Sequence, residues 1–343
     1  MRTLKFIDMT LRQAGPSFGK ELSFKEKLEI ARSLDRLKAD TIELAPISGS
    51  RADQLANRTI ASMAVTRISA AVDISVGNIE ETWESVRPAK KPKLNIIAPV
   101  SPVQMEYVCH KKAPAMLALI EEKVKEARFY SEYVEFSAVD ATRAETGFLY
   151  QALNTAIDAG ANKITVADTA GVMMPDEFEV FIKGIMDNVP GLREIELYVE
   201  ISDSLNMALA CATAAVRQGA AGVKCMAIED GYPTMEELAH FVAVKGADLG
   251  ITTQIRVTEL HRVVGQLRKI ILPEETESSR FSNIALEDVA NVCLDASDDI
   301  SEVNRVVRQM GYDLSEQDKG KVYEAFMRVA EKKQFVGTKE LDA

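Results

Sequence analysis

The sequence predicts an α/β fold, a (β/α)8 TIM barrel followed by a small C-terminal helical subdomain. Eight short runs of β-branched or apolar residues recur at intervals of roughly 25 to 35 residues, with helical periodicity between them. Strands that alternate with helices of this length pair in parallel, and eight such units close a barrel. Past about residue 255 only helical patterns remain. We therefore predict a barrel over residues 1–255 and a helical subdomain over residues 256–343.

The predicted strands and helices alternate in a regular order. The first helix is the clearest, because Ser23 can cap it and Glu26 can complete a capping box. Its apolar stripe consists of Phe24, Leu28, Ala31 and Leu34. The strands are predicted at 4–8, 41–44, 68–72, 94–98, 134–138, 164–167, 195–201 and 222–227. Further helices are predicted at 114–130, 145–159, 176–188, 205–218, 235–245, 259–271, 286–294, 301–310 and 315–333, with a polar linker at 274–279.

An open doubly wound sheet is the competing fold for this order of elements. No GxGxxG follows the first strand, so a dinucleotide site of that kind is unsupported.

Composition and charge exclude several classes of partner. A chain of 343 residues, 47% of them apolar, can bury a large core. Its net charge of −11 argues against nucleic acid or an anionic membrane, because both require concentrated Lys and Arg. The densest cationic stretch, 87–93, contains two prolines and is predicted to be a solvated connection. The chain enters a strand pattern directly after Met1 and has no run of 18 uncharged apolar residues, so we expect a cytoplasmic protein.

The cysteines point to packing rather than to chemistry. Cys109, Cys211, Cys225 and Cys293 lie far apart and show no CxxC spacing. This argues against a structural zinc site or a disulfide framework and predicts mostly buried core residues.

Three segments at predicted strand ends resemble the motifs of one superfamily. Residues 6–15 read F-I-D-M-T-L-R-Q-A-G, residues 134–143 read V-E-F-S-A-V-D-A-T-R, and residues 168–175 read D-T-A-G-V-M-M-P. They are similar to motifs of the DRE-TIM metallolyases, the HMGL-like group that includes 2-isopropylmalate synthase, homocitrate synthase and 3-hydroxy-3-methylglutaryl-CoA lyase. Residues 310–315 resemble the start of the synthases' helical subdomain, which favours the synthase branch.

The resemblance implies a divalent metal, yet the matching positions carry other residues. In the family an Asp, two His of an H-x-H and an Asn bind an ion that bridges the oxygens of a 2-oxo acid and promotes attack by a thioester enolate. Here those positions are Gln13, Val199, Ile201 and Tyr232. We therefore expect no metal cofactor, and we expect metal-dependent acyl-CoA condensation to be lost.

Several residues of the family signature remain. The resemblance implies that Arg12 grips a substrate carboxylate, although an ion pair with Glu43 across the first two strands explains it equally well. Thr169 would donate a hydrogen bond to the same carboxylate or cap a helix. Arg143 would bind a second carboxylate of the substrate, or it would be an ordinary surface arginine. The predicted substrate-binding residues are Arg12, Gln13, Asp140, Arg143 and Thr169.

The seventh predicted strand leaves its phase open. Either Val199 and Ile201 face the barrel interior, or a shift of one residue turns Glu200 inward. An inward Glu200 would meet Lys224, which then either acts as an acid, a base or an imine-forming amine, or packs its stem along the barrel with its head in a salt bridge. The predicted catalytic residues are Arg12, Glu43, Glu200 and Lys224.

Three functions remain open on the sequence alone. The first is a metal-independent lyase, aldolase or transferase that acts on a small 2-oxo or dicarboxylic acid, with acyl-CoA as a second substrate. The second is an inactive carboxylate sensor or regulatory partner of an active paralogue. The third keeps a metal through substitute carboxylates such as Asp8, Glu43, Asp140 or Asp168. By resemblance we also expect a homodimer formed through the C-terminal helices.

Overall fold

Eight parallel strands form a closed barrel, which confirms the predicted fold. A computed structural model describes residues 1–13, 20–47, 51–272 and 316–330, together with residues 294, 300, 303, 304 and 307. A short strand, β1 (Arg2–Thr3), pairs with β10 (Ile251–Thr252) outside the barrel. The barrel strands are β2 (Lys5–Asp8), β3 (Thr41–Leu44), β4 (Arg67–Asp73), β5 (Pro92–Pro99), β6 (Val134–Val139), β7 (Lys163–Asp168), β8 (Glu196–Ile201) and β9 (Gly222–Cys225). The barrel closes because β2 pairs with both β3 and β9.

Helices occupy the connections between the strands. The described helices are α1 (Thr10–Gln13), α2 (Phe24–Leu37), α3 (Arg51–Met63), α4 (Ile79–Val86), α5 (Pro102–Tyr107), α6 (Ala113–Tyr130), α7 (Thr146–Asp158), α8 (Pro175–Asn188), α9 (Ala208–Arg217), α10 (Met235–Leu249), α11 (Val257–Ile271) and α12 (Glu316–Ala330). The capping box of α2 is confirmed, since Ser23 and Glu26 each accept a hydrogen bond from the backbone N–H of the other. Phe24 was wrongly placed in the apolar stripe, because it opens the first turn of α2 and remains 44% exposed.

The apolar core lies between the strands and the surrounding helices, whereas the interior of the barrel is polar. Along β3, Ile42 and Leu44 belong to the apolar core and Glu43 points inward. Barrel interiors are usually filled by branched apolar residues. The polar interior of this barrel departs from that pattern, and it is therefore the region in which we look for a functional site.

The chain divides into two compact units, Met1–Glu275 and Thr276–Ala343. Helix α11 thus belongs to the barrel unit, and the dividing point lies later than residue 255, where the strand signals stop. In the second unit an apolar cluster is formed by Leu294, Val303, Val307, Phe326 and Ala330. Outside the described residues lie Ala14, Gly15, Cys293, the linker at 274–279, the motif at 310–315 and nearly all of the predicted helices at 286–294 and 301–310.

Cys109, Cys211 and Cys225 are free and buried, in agreement with the predicted packing role. Among the described residues, no helix combines the length and apolar character needed to cross a membrane.

Candidate active site in the barrel interior

Three basic and three acidic side chains form one ion-pair network inside the barrel, here called the barrel cluster. Its members are Arg12, Lys93, Lys224, Glu43, Glu135 and Glu200. The Lys224 ammonium lies at the centre, with Nζ 3.0 Å from Glu43 Oε1, 3.1 Å from Glu135 Oε1 and 3.4 Å from Glu200 Oε2. Arg12 forms ion pairs with Glu43 and Glu200, and Lys93 forms one with Glu135.

Strand periodicity explains how these side chains meet. Successive side chains of a strand point to opposite faces, so one charged residue between apolar neighbours is directed inward while those neighbours meet the helices. Glu43, Lys93, Glu135, Glu200 and Lys224 each occupy such a position, on five different strands. Arg12 reaches the same space from α1, directly after β2.

Neutral polar side chains complete the hydrogen bonding of the buried carboxylates. Asn95 Nδ2 donates to Glu43 Oε2 over 3.0 Å, and Ser137 Oγ donates to Asn95 Oδ1 over 2.8 Å. Thr165 Oγ1 donates to Glu135 Oε1 over 2.7 Å. A buried charge is tolerated only when it is paired and hydrogen-bonded, and the cluster meets both conditions.

Exposure differs within the cluster and identifies the end that faces the mouth of the barrel. Glu43, Glu135 and Lys224 have no exposed side-chain surface, whereas the side chains of Arg12 and Glu200 are 12% and 11% exposed. Arg12 and Glu200 are therefore the members that a ligand entering from the carboxyl ends of the strands would meet first.

The electrostatic environment keeps Lys224 charged. Burial opposes the ammonium form, but the attraction of Glu135, Glu43 and Glu200 outweighs it and raises the pKa of Lys224 above the ordinary lysine value. Burial also opposes ionisation of Glu200, yet Arg12 and Lys224 lower its pKa below the usual glutamate value. Because an imine-forming or proton-accepting lysine must be neutral, the salt-bridge interpretation of Lys224 fits the geometry better.

The structure resolves the phase of β8. Tyr198 and Glu200 point inward, while Val199 and Ile201 belong to the apolar core against the helices. The interpretation that turned Val199 and Ile201 into the barrel mouth is therefore wrong.

Two of the four residues at the family's metal positions, Gln13 and Tyr232, form a hydrogen bond with each other. The Nε2 atom of Gln13 donates to the hydroxyl oxygen of Tyr232 over 3.4 Å. Glu200, the carboxylate nearest to them on β8, is paired with Arg12 and Lys224, two cations that would repel a divalent ion. This arrangement does not fit the metal that the family motif holds.

The substitute carboxylates do not form a metal site either. Within the described parts of the chain, no three His, Cys, Asp or Glu side chains are placed to hold a metal ion. Asp8 accepts hydrogen bonds from Thr10, and Asp168 accepts one from Thr142. Among the described residues the geometry therefore does not favour the hypothesis that carboxylates such as Asp8, Glu43, Asp140 or Asp168 replace the ligands, and that hypothesis stays a prediction for elemental analysis to test.

The other predicted binding residues form a separate group at the ends of β6 and β7. The backbone N–H of Asp140 donates to Thr169 Oγ1 over 3.0 Å, and Arg143 Nε donates to Asp140 Oδ1 over 2.6 Å. The Arg143 side chain is 56% exposed. The Thr169 hydroxyl therefore already accepts a hydrogen bond from the backbone of Asp140. The exposure of Arg143 agrees with a surface arginine rather than with one that binds a second carboxylate.

Comparison with known proteins assigns the chain to a family. The sequence model of the HMGL-like family matches residues 3–265. The protein belongs to the HMGL-like family. It is 28% identical over 380 residues to 2-isopropylmalate synthase of Geobacillus thermodenitrificans, an alignment that covers 100% of this chain and 73% of the relative. With 2-isopropylmalate synthase of Aquifex aeolicus it shares 28% identity over 371 residues, covering 98% and 71% of the two chains.

Solved structures of HMG-CoA lyases share the fold of this HMGL-like protein. The enzyme from Brucella melitensis superposes with a TM-score of 0.65 at 13% identity, covering 78% of this chain and 98% of the lyase. The enzyme from Pseudomonas aeruginosa gives a TM-score of 0.67 at 15% identity, covering 78% and 93%. At these identities the likeness shows the fold alone.

Two members of the barrel cluster of this HMGL-like protein, Lys93 and Glu135, are not among the site residues that the sequence predicts. Lys93 was assigned to a solvated connection, but it is 1% exposed and lies inside β5. Glu135 was read only as a letter of the V-E-F-S motif. In both cases the sequence does carry a signal, because one charged residue stands between two apolar residues in a short strand.

Proposed function

We propose that this HMGL-like protein binds a small 2-oxo or dicarboxylic acid at the barrel mouth without a metal ion and does not catalyse metal-dependent condensation. The observation that carries the proposal is the position of Arg12, the cation of the barrel cluster that lies between a fully buried and a partly exposed carboxylate. A guanidinium at such a place can exchange its partly exposed partner for the carboxylate of a ligand.

Loss of condensation is supported by the residues at the metal positions. A Lewis-acid metal contributes several kcal/mol of transition-state stabilisation in such chemistry. Gln13 and Tyr232 supply neutral groups that hydrogen-bond to each other, and Val199 and Ile201 supply no ligand atom at all. Lys224 is held as an ammonium by three carboxylates, so it serves neither as a base nor as an imine-forming amine in a metal-independent condensation.

Glu200 is the group that a ligand carboxylate would displace. Glu43 is fixed by hydrogen bonds from Lys224, Asn95 and Ser69 in addition to its ion pair with Arg12. Glu200 is more exposed and is held by Arg12 and Lys224.

The cluster contains equal numbers of positive and negative groups, so an added anion leaves one negative charge in excess. Proton uptake by the displaced Glu200 restores the balance, and we expect binding to tighten as the pH falls.

The first prediction concerns ligand binding. Pyruvate, 2-oxoglutarate and 2-oxoisovalerate are titrated by calorimetry in two buffers of different ionisation enthalpy, which reports proton uptake. We expect at least one of these acids to bind with net proton uptake. The variant Glu200→Gln should bind it about tenfold or more tightly without proton uptake, because it removes the competing charge worth about 1.5 to 3 kcal/mol.

Arg143→Gln is the matched control, since it removes an exposed cation beside the other group of predicted residues and should leave the affinity unchanged. Absence of binding by all three acids, or weaker binding by Glu200→Gln than by the original protein, contradicts the proposal.

The second prediction concerns turnover. Acetyl-CoA and each 2-oxo acid are incubated with the protein and added Mg²⁺, Mn²⁺ or Zn²⁺, and release of the free thiol of CoA is followed. We expect no release above the rate without protein, with the Geobacillus thermodenitrificans synthase assayed in parallel to validate the conditions. Metal-dependent release of CoA would restore condensation as the function.

A further inference from the structure

A basic cavity opens at the end of the barrel opposite to Arg12. Its volume is about 750 Å³, and it is lined by sixteen residues, of which seven are Lys or Arg and two are Asp. Lys5, Arg67 and Lys163 are the first residues of their strands, and Lys91 directly precedes β5. The cavity therefore lies at the amino ends of the barrel strands, in a chain whose net charge is −11.

Four of the seven cations have partners within the protein. Glu196, which does not line the cavity, forms ion pairs with both Lys5 and Lys163. Arg36 and Arg256 form ion pairs with Glu259 over 3.8 and 3.4 Å. These four cations are therefore at least partly neutralised.

The two aspartates of the cavity lining are also engaged. Asp35 accepts backbone N–H groups of Val65 and Thr66 over 2.9 and 2.7 Å. Asp40 accepts the backbone N–H of Phe6 over 2.9 Å. Neither of them forms an ion pair with the remaining lysines or arginine in the part of the chain that the structure describes.

The remaining cations, Lys38, Arg67 and Lys91, form no ion pair with any described residue. The guanidinium of Arg67 lies over the ring of Tyr133, 4.0 Å from its centre. Its Nη1 atom is buried and has no hydrogen-bond acceptor among the described residues. Buried N–H groups nearly always have an acceptor, so this atom leaves one hydrogen bond for an acceptor oxygen from outside the protein, of a water molecule or of a ligand.

Backbone contacts bring the three cations to one side of the cavity. The N–H of Ile68 donates to the carbonyl of Lys91 over 3.2 Å, which places Lys91 beside the start of β4. Near the end of α2, Asp35 accepts a hydrogen bond from the backbone N–H of Thr66, the residue before Arg67. Lys38 is the C-cap of α2 and therefore lies close to the same segment. Arg67 therefore lies on the strand between the two lysines.

We propose that this cavity binds a small molecule that carries a phosphate group. A phosphoryl group presents up to two negative charges and three acceptor oxygens, which suits three cations that line one cavity better than a single carboxylate does. The volume falls within the range typical of small-molecule sites. The strongly negative net charge disfavours large polyanions, so the ligand is a small anion rather than a nucleic acid.

The test uses pyrophosphate as the probe, titrated by calorimetry at constant ionic strength, with malonate as a carboxylate anion of comparable size. We expect saturable binding of pyrophosphate and weaker binding of malonate. Arg67→Gln should weaken pyrophosphate binding about tenfold or more, the effect expected for a charge-assisted hydrogen bond. The surface double variant Lys38→Asn/Lys91→Gln, which spares the strand and keeps a residue tolerant of positive φ at position 38, should also weaken it.

Arg58→Gln removes one cation from an exposed position on α3 outside the cavity and should leave pyrophosphate affinity unchanged. The proposal is overturned if pyrophosphate shows no saturable binding up to about 1 mM. Equal affinity for malonate, or equal losses in Arg58→Gln and in both cavity variants, also overturns it.

Discussion

Lys224→Met is expected to destabilise the barrel by about 3 to 5 kcal/mol, the range observed when one partner of a buried ion pair is removed. Methionine fills nearly the same volume, so the expected loss arises from charge rather than from a cavity. Without the ammonium, three buried carboxylates face only Arg12 and Lys93. The free energy of unfolding, measured by urea titration with near-ultraviolet circular dichroism, checks the prediction.

A second substitution separates charge balance from packing. In Lys224→Met/Glu200→Gln the ion pairs of Arg12 with Glu43 and of Lys93 with Glu135 both remain, and the cluster is again balanced. We therefore expect this double variant to recover much of the lost stability. Lys125→Met breaks the exposed ion pair with Glu121 and should change stability by less than about 1 kcal/mol. If Lys224→Met lowers the free energy of unfolding by no more than this control does, Lys224 is not the cation that balances the three buried carboxylates.

The fold followed from the sequence because its signals are local. The capping box of Ser23 and Glu26 and the short apolar strands are each decided within a few residues, and repetition of the unit then fixes the architecture. The extent of the barrel unit depends instead on tertiary contacts. Helix α11 reads like the later helices, yet the backbone N–H of Arg256 beside it donates to the carbonyl of Leu37 in α2.

The candidate site was predictable only in part, because pairing between strands decides which charges meet. Glu43, Glu200 and Lys224 stand out as single charges in apolar strands, and two pairs were open alternatives on the sequence: Arg12 with Glu43, and an inward Glu200 with Lys224. Lys93 and Glu135 meet because β5 and β6 pair with Asn95 opposite Glu135, a register that no local pattern reveals. The proline-rich and lysine-rich stretch before Lys93 indicated solvent, and tertiary burial overrode that composition.

Asp8 is expected to make the stability of the barrel fall as the pH rises from about 4 to about 7. Burial raises the pKa of this carboxyl to about 7, although hydrogen bonds from Thr10 favour its charged form, and no cation among the described residues pairs with it. Between the unfolded pKa of about 4 and the folded pKa, the folded state keeps a proton that the unfolded state has lost. The contribution to stability is therefore intact below this window and lost above it, by about 4 kcal/mol in total.

The substitution Asp8→Asn should remove this slope, because an amide does not titrate. The measurement is the free energy of unfolding at intervals between pH 4.5 and pH 8 (roughly the window in which the two states differ in bound protons), for the original protein and for the variant. Asp158→Asn, at the exposed end of α7, is the matched control and should leave the slope unchanged, since water surrounds that carboxylate in both states. Glu200 acts in the opposite sense: burial raises its pKa, but Arg12 and Lys224 outweigh burial and lower the pKa below the usual value, so its contribution is lost on acidification below about pH 4. A slope that survives in Asp8→Asn would assign the titration to another buried group, with Asp40, whose pKa burial also raises, as the next to substitute.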